Sequence, residues 1–375
     1  MPNEDVMASM SDVRLALDLT KLQQYLQAKV PELHCSDLRV KQFSTGTSNP
    51  TYLLWSEADD QKRFVLRRKP QGKLVHGAHQ IDREYMVMDA LHPHSVPVPK
   101  MYSFCNDGDV IGAPFYIMEC VAGRVIPDHA LSMMPGERSK LWDSINAAVV
   151  SLHSVDYKAA GLSGYGKVGN FAERQVKTWS KNFDQADGIV QKALQQPQLT
   201  KDMHEFRDYL LANMAILQPE PTCVVHGDIG LHNMLIHPSE PRVATLLDWE
   251  ISTLGHPHVD LDYVASRLDG GWFNFAMGHA RGHLEGSPTY HEFMEMYYKR
   301  RGLPMVSDEV VEFGGLVSMF RLGAITHGVL ARGLSGTASS GSSRNDEMKF
   351  TWTSLLRNAL KKIRSKQGQP GPARL

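Results

Sequence analysis

Val225-His226-Gly227-Asp228-Ile229-Gly230-Leu231-His232-Asn233, continued by Leu246-Leu247-Asp248-Trp249-Glu250, concentrates two Asp and one Asn among short apolar runs. Asp228 and Asn233 stand five residues apart, a spacing at which a tight turn points both side chains into one cleft. There Asp228 can orient an attacking hydroxyl, while Asn233 and Asp248 offer hard oxygen ligands to a cation that bridges phosphates. Asp248 follows Asp228 by twenty residues, room for one hairpin. The hairpin is readable: Met234-Leu235-Ile236 and Val243 to Leu247 flank the turn-prone His237-Pro238-Ser239-Glu240-Pro241. Asp and Asn are also ordinary turn residues, and His-Gly-Asp alone is a common loop tripeptide. The spacing, the hairpin and an Asp at a strand end together point to phosphate chemistry.

Working outward, the first third of the chain should cover the phosphates. Leu38 to Phe43 and Thr51 to Trp55 read as strands around the small-residue turn Ser44-Thr45-Gly46-Thr47-Ser48-Asn49. Gly46, Ser48 and Asn49 are the candidate nucleotide contacts of that turn. Asp59-Asp60 is expected to turn the chain into a third strand, Arg63 to Lys69. Arg67 falls where a kinase strand carries its phosphate-binding Lys, and alternation puts Lys69 on the same face as a rival, with Arg68 opposite. Ala78 to Leu91 has apolar residues at helical spacing and carries Glu84, placed to pair with Arg67 or Lys69. After Pro114 to Met118, Glu119-Cys120-Val121-Ala122-Gly123 is positioned as a hinge, with Glu119 and Val121 offering backbone groups to adenine.

These motifs resemble the aminoglycoside phosphotransferase and choline kinase-like superfamily, from about Leu38 to about Leu360. Ser48-Asn49-Pro50-Thr51-Tyr52, Val65-Leu66-Arg67-Arg68-Lys69-Pro70 and Ala331-Arg332-Gly333-Leu334-Ser335-Gly336 are similar in particular to the kinase-like domain associated with acyl-CoA dehydrogenase family members 10 and 11. The resemblance implies an α+β, two-lobe protein-kinase-like fold with a small antiparallel-sheet N-lobe (1–121), a mostly helical C-lobe (122–364) and a tail (365–375). It implies ATP and Mg2+ as cofactors, Asp228 as catalytic base, and Asn233 and Asp248 as metal ligands. It further implies a small-molecule acceptor, best read as a 4-hydroxyacyl-CoA, and an acyl-CoA dehydrogenase as partner. Asp260 matches an Asp that caps the next helix in the superfamily, a structural role suited to Asp.

Departures from protein kinases are informative too. There is no Gly-x-Gly-x-x-Gly loop, Gly227 replaces the Arg of His-Arg-Asp, Trp249-Glu250 replaces Phe-Gly, and no Ala-Pro-Glu follows. These features argue against a protein substrate and against activation by loop phosphorylation.

A formal net charge of −1 implies no nucleic-acid partner, and 42% hydrophobic residues can fill two cores. No apolar stretch is expected to span a membrane, and Met1-Pro2-Asn3-Glu4-Asp5 lacks the basic start of a signal peptide. Four scattered cysteines suggest reduced thiols in an intracellular protein. Among 17 His, His256-x-His258 and His279-x-x-x-His283 lack the acidic or Cys partners of a zinc site. Ala160 to Phe171, with its glycines and Tyr165, reads as a loop: either a flap over the substrate mouth or a plain connector.

The acceptor is the least legible part. A CoA thioester carries phosphates and needs Arg or Lys near the cleft mouth, for which Arg332 and Arg267 are the candidates. An aminoglycoside, amino alcohol or sugar acceptor, or a nucleotide-binding pseudokinase, are the alternatives. Ala373-Arg374-Leu375 matches the small-basic-Leu form of a peroxisomal signal, so the expected location is cytoplasmic or peroxisomal.

Overall fold

The computed structural model describes residues 10–11, 17–33, 36–43, 49–56, 59–70, 80–126, 132–195, 197–271, 283–336, 356, 358–361 and 363–365. Gly46 and Ser48, the start of the expected 78–91 helix, His279, Arg281, the 337–345 Gly/Ser segment and Ala373-Arg374-Leu375 therefore lie outside the described residues. The chain divides into two compact units, 1–166 with 226–253 and 167–225 with 254–375.

The first unit is built on an antiparallel sheet in the order β1-β2-β3-β4-β6-β5. Its strands are β1 (Met10–Ser11), β2 (Leu38–Phe43), β3 (Thr51–Ser56), β4 (Asp59–Arg68), β5 (Met101–Cys105) and β6 (Phe115–Glu119). Asp59 does not turn the chain as expected: it pairs with Ser56 across a register shift and begins β4. The strand period of two decides the two faces. Tyr52, Leu54, Phe64, Leu66, Phe115 and Ile117 point to one side, where Leu22 and Leu26 of α1 (Leu19–Lys29) complete a buried core. Helix α1 starts on Asp18, whose carboxylate accepts from the Lys21 amide at 3.0 Å, the N-cap bond that Asp favours. Arg67 falls on the other side of the sheet, which faces α2 (Ile81–Leu91).

A short helix α3 (Gly108–Ile111) precedes β6, and α4 (Pro135–Ser154) follows it. The hairpin read from the sequence is present as β7 (Met234–Ile236) and β8 (Val243–Leu246), with Met234 opposite Leu246. It is tied to earlier segments. Arg124 and Ile236 exchange backbone bonds of 2.8 and 2.9 Å, and the Leu246 amide donates to Pro97 O at 2.7 Å. Gly123 permits this approach, because a Cβ there would stand 2.7 Å from Leu235 Cβ. These bonds hold the hairpin within the unit that contains the sheet.

The second unit is helical: α5 (Phe171–Leu194), α6 (Pro197–Ala212), α7 (His258–Ala265), α8 (Tyr290–Arg300) and α9 (Asp308–Leu334). Helix α8 opens on a capping box between Thr289 and Glu292. Asp260 is not the cap of α7. Pro257 holds that position, and Asp260 lies fully buried in the first turn, where its charge meets the positive end of the helix dipole. Helix α9 passes for a membrane-spanning helix by length and composition alone, with a mean hydropathy of 1.3. More than half of that window is buried within the unit, so its apolar residues are accounted for by packing, with Val190 of α5 against Leu330 and Ala331.

Candidate active site

Two left-handed backbone positions shape the site. Gly227 has φ +84°, and a Cβ there would press on Ile251 at 3.2 Å, so the residue that replaces the kinase Arg is one the turn demands. Asp248 has φ +66°, tolerated by Asp because its side chain is short and polar. Between them His226 acts as a fixed strut. Its Nε2 donates to Leu247 O at 2.9 Å, which leaves Nδ1 to accept from the Asp228 amide at 3.2 Å. The ring also packs on Trp249, centroids 4.6 Å apart.

The turn does what the five-residue spacing predicts. Asn233 Nδ2 donates to Asp228 O at 2.9 Å and to Asp228 Oδ2 at 3.0 Å. With its nitrogen so engaged, Asn233 presents its amide oxygen, the atom a hard cation takes. The Leu247 amide donates to Asn233 O at 2.8 Å, which ties the 228–233 turn to the start of the Asp248 turn.

Arg67, not Lys69, meets the acidic groups among the described residues. Its Nε lies 3.3 Å from Glu84 Oε2 and its Nη2 3.2 Å from Asp248 Oδ1. Glu84 is fully buried. It accepts from Asn49 Nδ2 at 3.2 Å and from the Tyr116 hydroxyl at 2.8 Å, so the one phosphate-turn residue described holds the helix Glu. Burial pushes the Glu84 carboxyl up to about 7, against the pull of Arg67 and the Tyr116 hydrogen bond. Burial would lower Arg67, but the fields of Tyr116, Glu84, Asp248 and Glu250 raise it above its usual range.

The sequence reading missed Glu250. Ligand atoms of Glu84, Asp248 and Glu250 lie within 4.8 Å of one another, a set that could hold a metal ion. The signal available was its place two residues after Asp248, on the same tight turn. Tyr116 was missed as well, hidden in a strand that reads as core.

The other candidates are placed as follows. Glu119 ends β6 and its carboxylate accepts from the Lys100 amide at 3.2 Å; Val121 lies just beyond the strand, half-buried. Arg267 follows α7 and Arg332 lies in the last turn of α9, and both are exposed.

Comparison with known proteins agrees with this geometry. Residues 39–296 match the phosphotransferase enzyme family, APH. The chain is 36% identical over 340 residues to acyl-CoA dehydrogenase family member 11 of Gallus gallus, covering 87% of this chain and 41% of that protein. It is 34% identical over 333 residues to acyl-CoA dehydrogenase family member 10 of Mus musculus, covering 87% and 29%. The chain thus spans 41% and 29% of the length of these two relatives. A crystal structure from Ralstonia eutropha, assigned to the aminoglycoside phosphotransferases, superposes with a TM-score of 0.77 at 35% identity over 92% of this chain and 99% of that one. The streptomycin–ATP complex of APH(2")-IIa shares the fold at 16% identity, TM-score 0.56, over 92% and 97%. With its motifs in place on a kinase-like α+β scaffold, this chain belongs to the phosphotransferase enzyme family, whose reaction is phosphoryl transfer to an alcohol group.

Proposed function

We propose that this chain moves the γ-phosphoryl group of ATP to a hydroxyl of a 4-hydroxyacyl-CoA. The observation that carries the transfer is the Asp228–Asn233 pair joined through Leu247 to Asp248. The acyl-CoA acceptor is supported by the kinship with acyl-CoA dehydrogenase family members 10 and 11.

Asn233 Nδ2 fixes Asp228 Oδ2 and so orients the Asp228 carboxylate to accept the acceptor's hydroxyl proton and align its oxygen for in-line attack. The residues present fit Mg2+: the Asn233 amide oxygen and the Asp248 and Glu250 carboxylates are the hard oxygen donors it prefers, and all stand on short, hydrogen-bonded turns. The ion, when bound, neutralises the charge of the phosphates. Arg67 is planar and forked, suited to bidentate phosphate contact in place of the kinase Lys, and Glu84 orients it. A nucleotide-binding pseudokinase is the second reading, favoured by one observation: Arg67 occupies Asp248 Oδ1, an oxygen the metal needs.

Release of ADP from Mg-ATP, measured with a 4-hydroxyacyl-CoA, the free hydroxy acid, kanamycin, choline and no acceptor, separates these. Stimulation by the thioester alone is the expected outcome. Stimulation by kanamycin or choline would move the same chemistry to another acceptor. Silence alongside ATP binding that ignores magnesium would favour the pseudokinase.

A further inference from the structure

Tyr165 belongs to the glycine-rich loop that the sequence left open between a flap and a connector, yet it is only 3% exposed. Its hydroxyl and Ser252 Oγ share a hydrogen bond of 2.6 Å. Ser252, equally buried, donates its Oγ to Trp249 O at 2.5 Å and its amide to the same oxygen at 3.1 Å. From the other side Arg83 of α2 lays its guanidinium 4.2 Å from the Tyr165 ring centroid. Arg83 Nη2 also donates to Tyr165 O at 2.7 Å and to Ser252 O at 3.5 Å.

The position of this cluster gives it a role. Arg83 adjoins Glu84, and Ser252 closes the turn that carries Asp248 and Glu250. Three carboxylates within 4.8 Å repel one another, and Asp248 and Glu250 both disfavour the charge on Glu84. Something must hold α2 against the Asp248 turn before a cation arrives. Arg67 does so within the cluster, but it must also serve phosphate. The Tyr165 contacts do so through groups that are not among the three carboxylates.

We propose that Tyr165, Arg83 and Ser252 form a clamp that positions the metal-binding turn 248–252 against α2 and so sets the affinity for Mg-ATP. The three are positioning residues. The proposal rests on the phosphotransferase reading above, but the clamp itself exists in the free protein and can be tested there.

The test uses Tyr165→Phe, which keeps the ring under Arg83 and the backbone oxygen and removes only the hydroxyl. Hydrogen exchange of the free protein is expected to speed up in both 81–91 and 248–252, with the rest of the protein unchanged. Titration calorimetry of ATP at varied Mg2+ should show about a five-fold rise in the Mg2+ needed for half-saturation, the worth of one hydrogen bond. Magnesium-free ATP affinity should hold. Ser252→Ala, which also removes the bond to Trp249 O, should raise the Mg2+ requirement at least as much, and Tyr165→Phe should add nothing further in the double variant. Unchanged exchange in 248–252, or loss spread over the whole protein, would overturn the clamp. Wild-type protein whose ATP binding ignores Mg2+ while the exchange prediction holds would instead overturn the function proposed above.

Discussion

Asp248 of the first unit and Asp262 of the second are both held by other side chains, but one is left open and the other is closed. The Asp248 side chain is 36% exposed, touches Arg67, and has Glu84 and Glu250 as acidic neighbours. The Asp262 side chain is 1% exposed, accepts from the Tyr290 hydroxyl at 2.6 Å, and lies 3.3 Å from His258 Nδ1. His258 Nε2 shares a hydrogen bond of 2.9 Å with the Tyr298 hydroxyl. Gly314 leaves room for the Asp262 carboxylate, since a Cβ there would stand 2.6 Å from Oδ2. Asp187 repeats the closed pattern. It accepts from Thr200 at 2.7 Å and Gln191 at 3.1 Å, with His327 Nε2 at 3.0 Å and the His327 ring stacked on Phe183. A buried carboxylate held by hydrogen bonds from neighbouring side chains is a structural strut. A half-exposed carboxylate crowded by like charges keeps coordination capacity for a ligand that is not protein.

The sharpest way to break this comparison is to remove the open groups and look for lost chemistry without lost structure. Asp228→Ala should lower turnover by about 1,000-fold while ATP affinity stays nearly constant, as expected for a lost general base. Retained turnover would remove Asp228 from the mechanism. The next largest effect concerns the closed group. Asp262→Ala should cost about 3 kcal/mol in urea unfolding, because it leaves the buried Tyr290 hydroxyl without its acceptor. Asp248→Ala should cost less than about 1 kcal/mol by the same measurement, yet weaken magnesium-dependent nucleotide binding. Equal stability losses for the two would erase the distinction drawn here.

A further check on the open site comes through pH. Glu84 titrates near 7 in the folded protein, against an ordinary 4.5. The folded state therefore binds this proton more tightly than the unfolded chain. The resulting stabilisation is fully present below about pH 4.5 and is lost as pH rises through about 7, up to ~3 kcal/mol in all. Glu84→Gln should flatten this part of the dependence of Tm on pH between 4.5 and 7. An unaltered slope would mean that Arg67 keeps Glu84 ionised throughout.

Much of the site was legible because phosphate chemistry demands particular residues at particular spacings. The Asp228–Asn233 contact and the 234–246 hairpin appear as read, and alternation along β4 separates Arg67 from Arg68. Choosing Arg67 over Lys69 was beyond sequence reasoning, since alternation places both on one face and only the packing of α2 brings Glu84 to one of them. Glu250 and Tyr116 were missed for a related reason: each acts through a partner far away in sequence. Asp260 failed as a cap because Pro257 already supplies the restricted backbone at the helix start.

Local spacing and backbone chemistry make the phosphotransferase family, the 228–233 turn and its hairpin legible in the chain alone. Tertiary structure alone decided that Tyr165 is a buried clamp rather than a flap, that Glu84 joins Asp248 and Glu250, and that Asp262 is closed where Asp248 is open. Burial and the company of like charges arise only when segments distant in sequence are packed together.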